Sequence, residues 1–242
     1  MLLGILLLAL VAFRRPESAE GADGNSDPSP SARSGLDYLR ELGAAAGMST
    51  EQVDFLAFVA YGESGLKPNV GLGIPEMFPA GTKPNTRASQ AAQAREARAA
   101  ANAYEANTGW LGGCGYPASA YSFGSGGLFA FLPTYALAQF KGTALACANP
   151  AMVFNPAFAM AAAYGFARSL TQRSGYLGTY GSLRSGWGLP SKIGDRDRIA
   201  SKAAKWNGHL KALGLNRTVE SQAPAFPRRD LVIMFEAMEA AK

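Results

Sequence analysis

The chain has 242 residues, 48% hydrophobic and only 17% charged, so it carries enough apolar mass for a real core and is not a disordered chain overall. Its net charge of +5 favours acidic partners, whether anionic cell wall, membrane surface or nucleic acid, and does not choose between them. No zinc-finger, RNA-recognition or aromatic-interleaved basic signature is present, so nucleic acid is not expected as a partner. A single histidine, His209, and two cysteines outside any Cys-x-x-Cys pair exclude a two-histidine metal site and most Ser-His or Cys-His hydrolase arrangements. No metal or other cofactor is expected.

In chain order, Leu2 to Phe13 is continuously apolar and is followed by Arg14-Arg15. About twelve residues is short for a membrane span, which needs roughly twenty. The stretch has the length of a signal-peptide core without the usual preceding charge. Residues 1–15 therefore read as a signal or anchor, and an exported, periplasmic or membrane-tethered protein is expected. Residues 16–34, rich in Ser, Gly, Asp, Pro and Glu, read as a flexible linker.

Helical patterning starts at Leu36, with Leu36, Leu39 and Leu42 on one face, Ser34 as cap and Gly47 as stop. Ser49-Thr50-Glu51-Gln52 is a capping box. The helix it opens runs to Glu63 and is apolar nearly all round, so it should be buried. Gly65 and Pro68 end it. Residues 66–84 are loop, with room for a small hairpin between Leu66 and Pro79. Residues 87–107 form an Ala-rich helix, and 110–127 are again Gly-rich. Leu128 to Phe140 is apolar and interrupted by Pro133, with Thr134 as cap of a following helix. Asn155-Pro156 starts a small-residue core helix reaching Leu170. Tyr176 to Leu183, Asp195 to Leu213 and Asp230 to Ala241 complete a mainly α fold, with no sustained period-two alternation. Cys114 and Cys147 leave two readings open, two free thiols or a disulfide. The disulfide would need an oxidising compartment and would contribute about 3 kcal/mol through loop closure.

Glu63 is the focus of the chemistry. Desolvation and the negative end of the helix dipole both penalise a charge there, and the sequence puts no cation beside it. That suits a carboxyl group acting as a general acid near neutral pH.

The surrounding segment, Ala60-Tyr61-Gly62-Glu63-Ser64-Gly65-Leu66-Lys67-Pro68-Asn69, resembles the catalytic segment of soluble lytic transglycosylases and goose-type lysozymes. Ser122-Phe123-Gly124-Ser125-Gly126-Gly127-Leu128-Phe129-Ala130-Phe131-Leu132-Pro133-Thr134 is similar to the family's second motif. Asn155-Pro156 and Gly178-Thr179-Tyr180-Gly181 match a third and a fourth, all in family order. The resemblance implies a lysozyme-like helical domain over 35–242, with an insertion at about 77–117. It implies cleavage of the β-1,4 bond between N-acetylmuramic acid and N-acetylglucosamine in peptidoglycan. Glu63 would protonate the leaving oxygen and then act as base, while the muramic 6-hydroxyl closes a 1,6-anhydro end. Gly127 would let backbone approach the sugar. Ser122 would hydrogen-bond Glu63 or the sugar, or simply serve as a turn serine. Tyr180 would orient the acid or the acetamido group, or belong to the core. Phe131, Tyr176 and Trp187 are candidates for stacking on sugar rings, against an equally simple core role.

The chain departs from the family where Ala130 replaces its glutamine and Gly181 its asparagine, which puts substrate contacts in question. A hydrolytic muramidase would need a second carboxylate roughly 6.5–9.5 Å away, for which Glu76, Glu105, Asp195 and Asp197 are candidates. Asp54, nine residues before Glu63, falls on the opposite face of the helix. The competing reading is a non-catalytic wall-binding or structural module of a phage particle or secretion system, whose partners would be virion or cell-envelope proteins.

Overall fold

The computed structural model describes residues 30–68, Cys114 and residues 125–242. Seven α-helices lie among them: α1 (Pro30–Ala45), α2 (Thr50–Ser64), α3 (Pro133–Ala138), α4 (Pro156–Thr171), α5 (Tyr180–Gly188), α6 (Arg196–Ala212) and α7 (Leu231–Ala240). Short 3-10 turns occupy Ala144–Cys147, Pro150–Phe154 and Pro190–Lys192. Extended pairing among the described residues is confined to two isolated bridges, Gly126 with Phe131 and Thr179 with Gln222. The mainly helical expectation holds. The apolar N-terminal segment, most of the linker, nearly all of the expected hairpin, the 87–107 helix and most of the insertion lie outside the described residues. Among those described, no helix is long and apolar enough to cross a membrane.

Helix α2 is the centre of the molecule. The capping box forms as read: Gln52 N donates to Ser49 Oγ at 3.3 Å and Ser49 N donates to Gln52 Oε1 at 3.0 Å. Val53 and the run Phe55 to Ala60 are buried on every side, because α1, α4 and α6 all pack against this one helix. Gly65 ends it in the left-handed conformation at φ 64°, which glycine adopts without a Cβ penalty. Leu36, Leu39 and Leu42 are the buried face of α1, as their spacing predicts. That helix starts at Pro30 rather than after Ser34, so Ser34 lies inside it and does not cap it. The helix therefore extends into the stretch read as linker.

Asn155 caps α4 by accepting from Ala157 N and Phe158 N, with Pro156 at the first helical position. The buried alanines of α4 let α2, α3, α5 and α7 all pack against it. Two boundaries differ from the sequence reading. Pro133 itself opens α3, with Leu132 at the cap position and Thr134 buried inside the helix. Helix α5 begins at Tyr180, not Tyr176, because Gly178 turns the chain at φ 75° and the Thr179 hydroxyl accepts from Ser182 N. Asp195 and Asp230 cap α6 and α7. Cys114 and Cys147 form a disulfide, one of the two readings the sequence left open.

Candidate functional site

Glu63 sits one residue from the C-terminal end of α2, with a quarter of its side chain exposed. Sequence gave it no neighbouring cation, and the fold overturns that expectation. Arg184, on the second turn of the otherwise uncharged α5, reaches across and places Nη2 at 2.6 Å from Glu63 Oε1. Arg184 is buried, its side chain only 10% exposed. Its guanidinium lies over the Trp206 ring at 5.7 Å, and its Nε has no hydrogen-bond partner. One carboxylate oxygen of Glu63 is thus engaged by a held guanidinium.

His209 of α6 completes this wall. Its ring meets Tyr61 edge-on at 5.4 Å, and its buried Nδ1 has no partner. Burial, then the nearby Lys205 and Arg184 charges, lower its pKa from 6.5 to about 4. The imidazole is therefore neutral at physiological pH. Gly62 makes the arrangement possible: a Cβ there would lie 3.0 Å from Arg184 Nη2 and 3.1 Å from His209 Nδ1. Sequence reasoning missed both residues. The available signal was a lone arginine within a Gly- and Ser-rich segment and a histidine three residues after Trp206.

The residue after Glu63 ties the first motif to the second. Ser64 is buried, and its Oγ donates to the Leu128 carbonyl at 2.8 Å, with the Ala60 carbonyl also in reach at 3.0 Å. The turn it holds runs from Gly126 to Phe131, whose backbones exchange hydrogen bonds at 2.9 and 3.0 Å. Gly127 is in the left-handed region at φ 75°, and a Cβ on it would fall 1.9 Å from the Val153 carbonyl oxygen. The close approach there is to the protein's own backbone, so the glycine has a packing reason that needs no sugar. Ala130, where the family has glutamine, is also left-handed at φ 47°.

The described aromatic candidates disperse into the core rather than presenting an open face. Ser122 lies outside the described residues. Phe131 and Trp187 are 5% and 6% exposed and pack against each other at 5.5 Å, inside a four-ring cluster with Phe129 and Phe166. Stacking on a sugar ring needs an open face, and theirs are covered. Tyr180 is fully buried against Phe55 and Phe58, which precede Glu63 by roughly 7–12 Å of helix rise. Tyr180 also borders a separate cleft lined by Glu51, Arg217 and Gln222. Burial is the main reason that its pKa is pushed up to about 12, with Asp54 adding to the effect. These positions read as core, for which the sequence had left room. Tyr176 is partly buried against the same core.

The second-carboxylate candidates are equally dispersed. Glu76 and Glu105 lie outside the described residues. Asp195 is occupied by capping α6 and by Lys192 at 2.9 Å, and the hydrogen bond from Arg198 N leads the causes that lower its pKa. Asp197 is exposed in the first turn of α6. Asp54 pairs with Arg40 of α1 at 2.8 Å.

No protein-family model matches the chain, and no match emerged among curated proteins or solved structures. The site must therefore be argued from its own geometry.

Proposed function

We propose that the protein is a peptidoglycan-cleaving lytic transglycosylase of lysozyme-like fold, with Glu63 as its single acid/base. The observation that carries the reading is the Ser64 clasp. The helix end bearing Glu63 and the Gly126–Phe131 turn are separated by some sixty residues, yet they meet through one buried hydrogen bond. Two segments that resemble the family's first and second motifs thus converge beside a partly exposed carboxylate. Glu63 Oε1 is held by Arg184, so in this reading the proton passes through the other carboxylate oxygen to the glycosidic oxygen. As the bond breaks, the same carboxylate takes the proton of the muramic 6-hydroxyl, which attacks the anomeric carbon. In this reading no second carboxylate is required. The disulfide favours an oxidising, extracytoplasmic setting. Periplasmic, membrane-tethered and virion-associated forms all satisfy it.

Two observations favour a second reading, a non-catalytic wall-binding or structural module: Glu63 is ion-paired, and Phe131 and Trp187, two of the three candidate sugar-stacking rings, are buried. Digestion of purified sacculi by wild type and Glu63→Gln, with products read by mass spectrometry, separates the possibilities. The expected outcome is 1,6-anhydro-muropeptides from wild type and a loss of about 100-fold or more in the variant. Reducing ends would mean a muramidase. Products from neither protein would mean a non-catalytic module, and equal products from both would move the chemistry away from Glu63.

A further inference from the structure

Four of the described cations line one cleft. A cleft of about 500 Å³ lies where the C-terminal half of α4 meets the segment leading into α7 and the turn after α3. Lys141, Arg168, Arg228 and Arg229 line it, against one carboxylate, Asp230. That carboxylate is already engaged, its Oδ1 accepting from Val232 N and Ile233 N at the start of α7. Arg229 is fixed in place: its Nη1 donates to the Ala46 and Gly47 carbonyls, and its guanidinium lies 5.8 Å from the Tyr164 ring centre. The other three cations have no such engagement. None of the ion pairs formed between described residues involves Lys141, Arg168 or Arg228. Three unpaired cations converging on one concavity repel one another, and an anion between them relieves that repulsion.

We infer that this cleft, which shares no residue with the Glu63 site, is a binding site for the phosphodiester groups of a base-free anionic polymer. Guanidinium forks match the oxygen geometry of phosphate, and Lys141 adds a mobile point charge. The cleft is a half-open concavity along which a single chain can lie, whereas a lipid surface is met by a flat or protruding face. Recognition of nucleic acid would call for an open aromatic platform on which bases stack. The one aromatic side chain in the lining, Tyr164, is fully buried, with its hydroxyl donating to the Pro227 carbonyl at 3.0 Å. The cleft therefore offers charge without base readout. The inference is independent of any activity at Glu63.

Titration calorimetry of the full chain with a synthetic oligo(glycerol phosphate) tests it, across a salt series. Wild type is expected to bind, with log K falling against log salt at a slope of about −2, as three phosphate contacts predict. Arg168→Gln/Arg228→Gln is expected to bind at least about tenfold more weakly and with a slope nearer −1. Neither side chain is paired in the fold, so circular dichroism and Tm should be unchanged. The charge-matched control Arg196→Gln/Lys202→Gln, on the exposed surface of α6, should bind as wild type does. No binding by wild type, or equal weakening in the two double variants, would overturn the site. Two further arms decide the source of the phosphodiester. Binding to phosphatidylglycerol vesicles but not to the soluble oligomer would replace the inference with a membrane contact. Tighter binding of a single-stranded oligonucleotide of equal charge would replace it with a nucleic-acid site.

Discussion

Arg184 holds Glu63 from a different helix, with Nη2 and Oε1 2.6 Å apart, although 121 positions separate the two residues in the chain. The guanidinium engages one carboxylate oxygen of a side chain that stays a quarter exposed. Arg184→Gln is expected to lower muropeptide release by about 10- to 100-fold, the range expected when a reacting group loses its positioning. Arg184→Lys should recover part of the loss, since it restores charge but not the planar fork. Guanidinium ion added at low millimolar concentration to Arg184→Ala should also recover part of it. If release is unchanged in Arg184→Gln, the pair is structural only.

His209 supplies a pH signature. Its folded pKa of about 4 lies below the unfolded value of 6.5, so between these values the unfolded chain binds more protons. The associated stability is fully present above pH 6.5 and is lost as pH falls through about 4. Allowing for the ring's partial exposure, the loss is on the order of 1 kcal/mol. NMR titration of the imidazole should report the low midpoint directly. Urea denaturation at pH 7 and pH 4.5 should show the loss in wild type and a smaller one in His209→Gln. A midpoint near 6.5 would mean that the ring is solvated and that Arg184 is not held against it.

Gly127 and Gly142 separate close approach from backbone strain. Both have positive φ, at 75° and 82°, but a Cβ on Gly127 meets the Val153 carbonyl oxygen at 1.9 Å, whereas one on Gly142 meets nothing within 4 Å. Gly142→Ala should cost about 1 kcal/mol in backbone strain alone. Gly127→Ala should cost several-fold more, roughly 3 kcal/mol or above, because the turn must move away from Val153. Equilibrium urea unfolding of the two variants side by side measures the difference. Equal losses would mean that the turn yields freely.

Ser64 offers a gentler test of the same junction. Ser64→Ala removes the donor to the Leu128 carbonyl and leaves that acceptor buried without it, at an expected cost of about 1–3 kcal/mol. Activity should fall with it, since the clasp sets where the Gly126–Phe131 turn lies relative to Glu63. Hydrogen exchange of the backbone amides at Gly126 and Phe131 should quicken in the variant. Unchanged protection there would mean that packing alone holds the turn.

The helices were legible because their signals are local. The Ser49 capping box, the Asn155-Pro156 start, the Asp195 and Asp230 caps and the Leu36-Leu39-Leu42 spacing each act within a few residues, and each stands where the sequence put it. Local signals failed where two of them competed. Ser34 has the chemistry of a cap, yet the chain is already helical from Pro30; Thr134 has it too, yet Pro133 opens α3. Glu63 was legible as a carboxylate ending a buried helix, whereas Gly127, read as making room for a sugar, makes room for the Val153 carbonyl. Sequence could not find Arg184 and His209, because an ion pair and a packed ring depend on which helices become neighbours, and only the packing of α5 and α6 around α2 decides that. The same packing buries Phe131, Tyr180 and Trp187, which in sequence could equally have faced a ligand. Hydrophobicity marks an aromatic side chain as costly to expose, but only tertiary structure decides whether another ring covers its face.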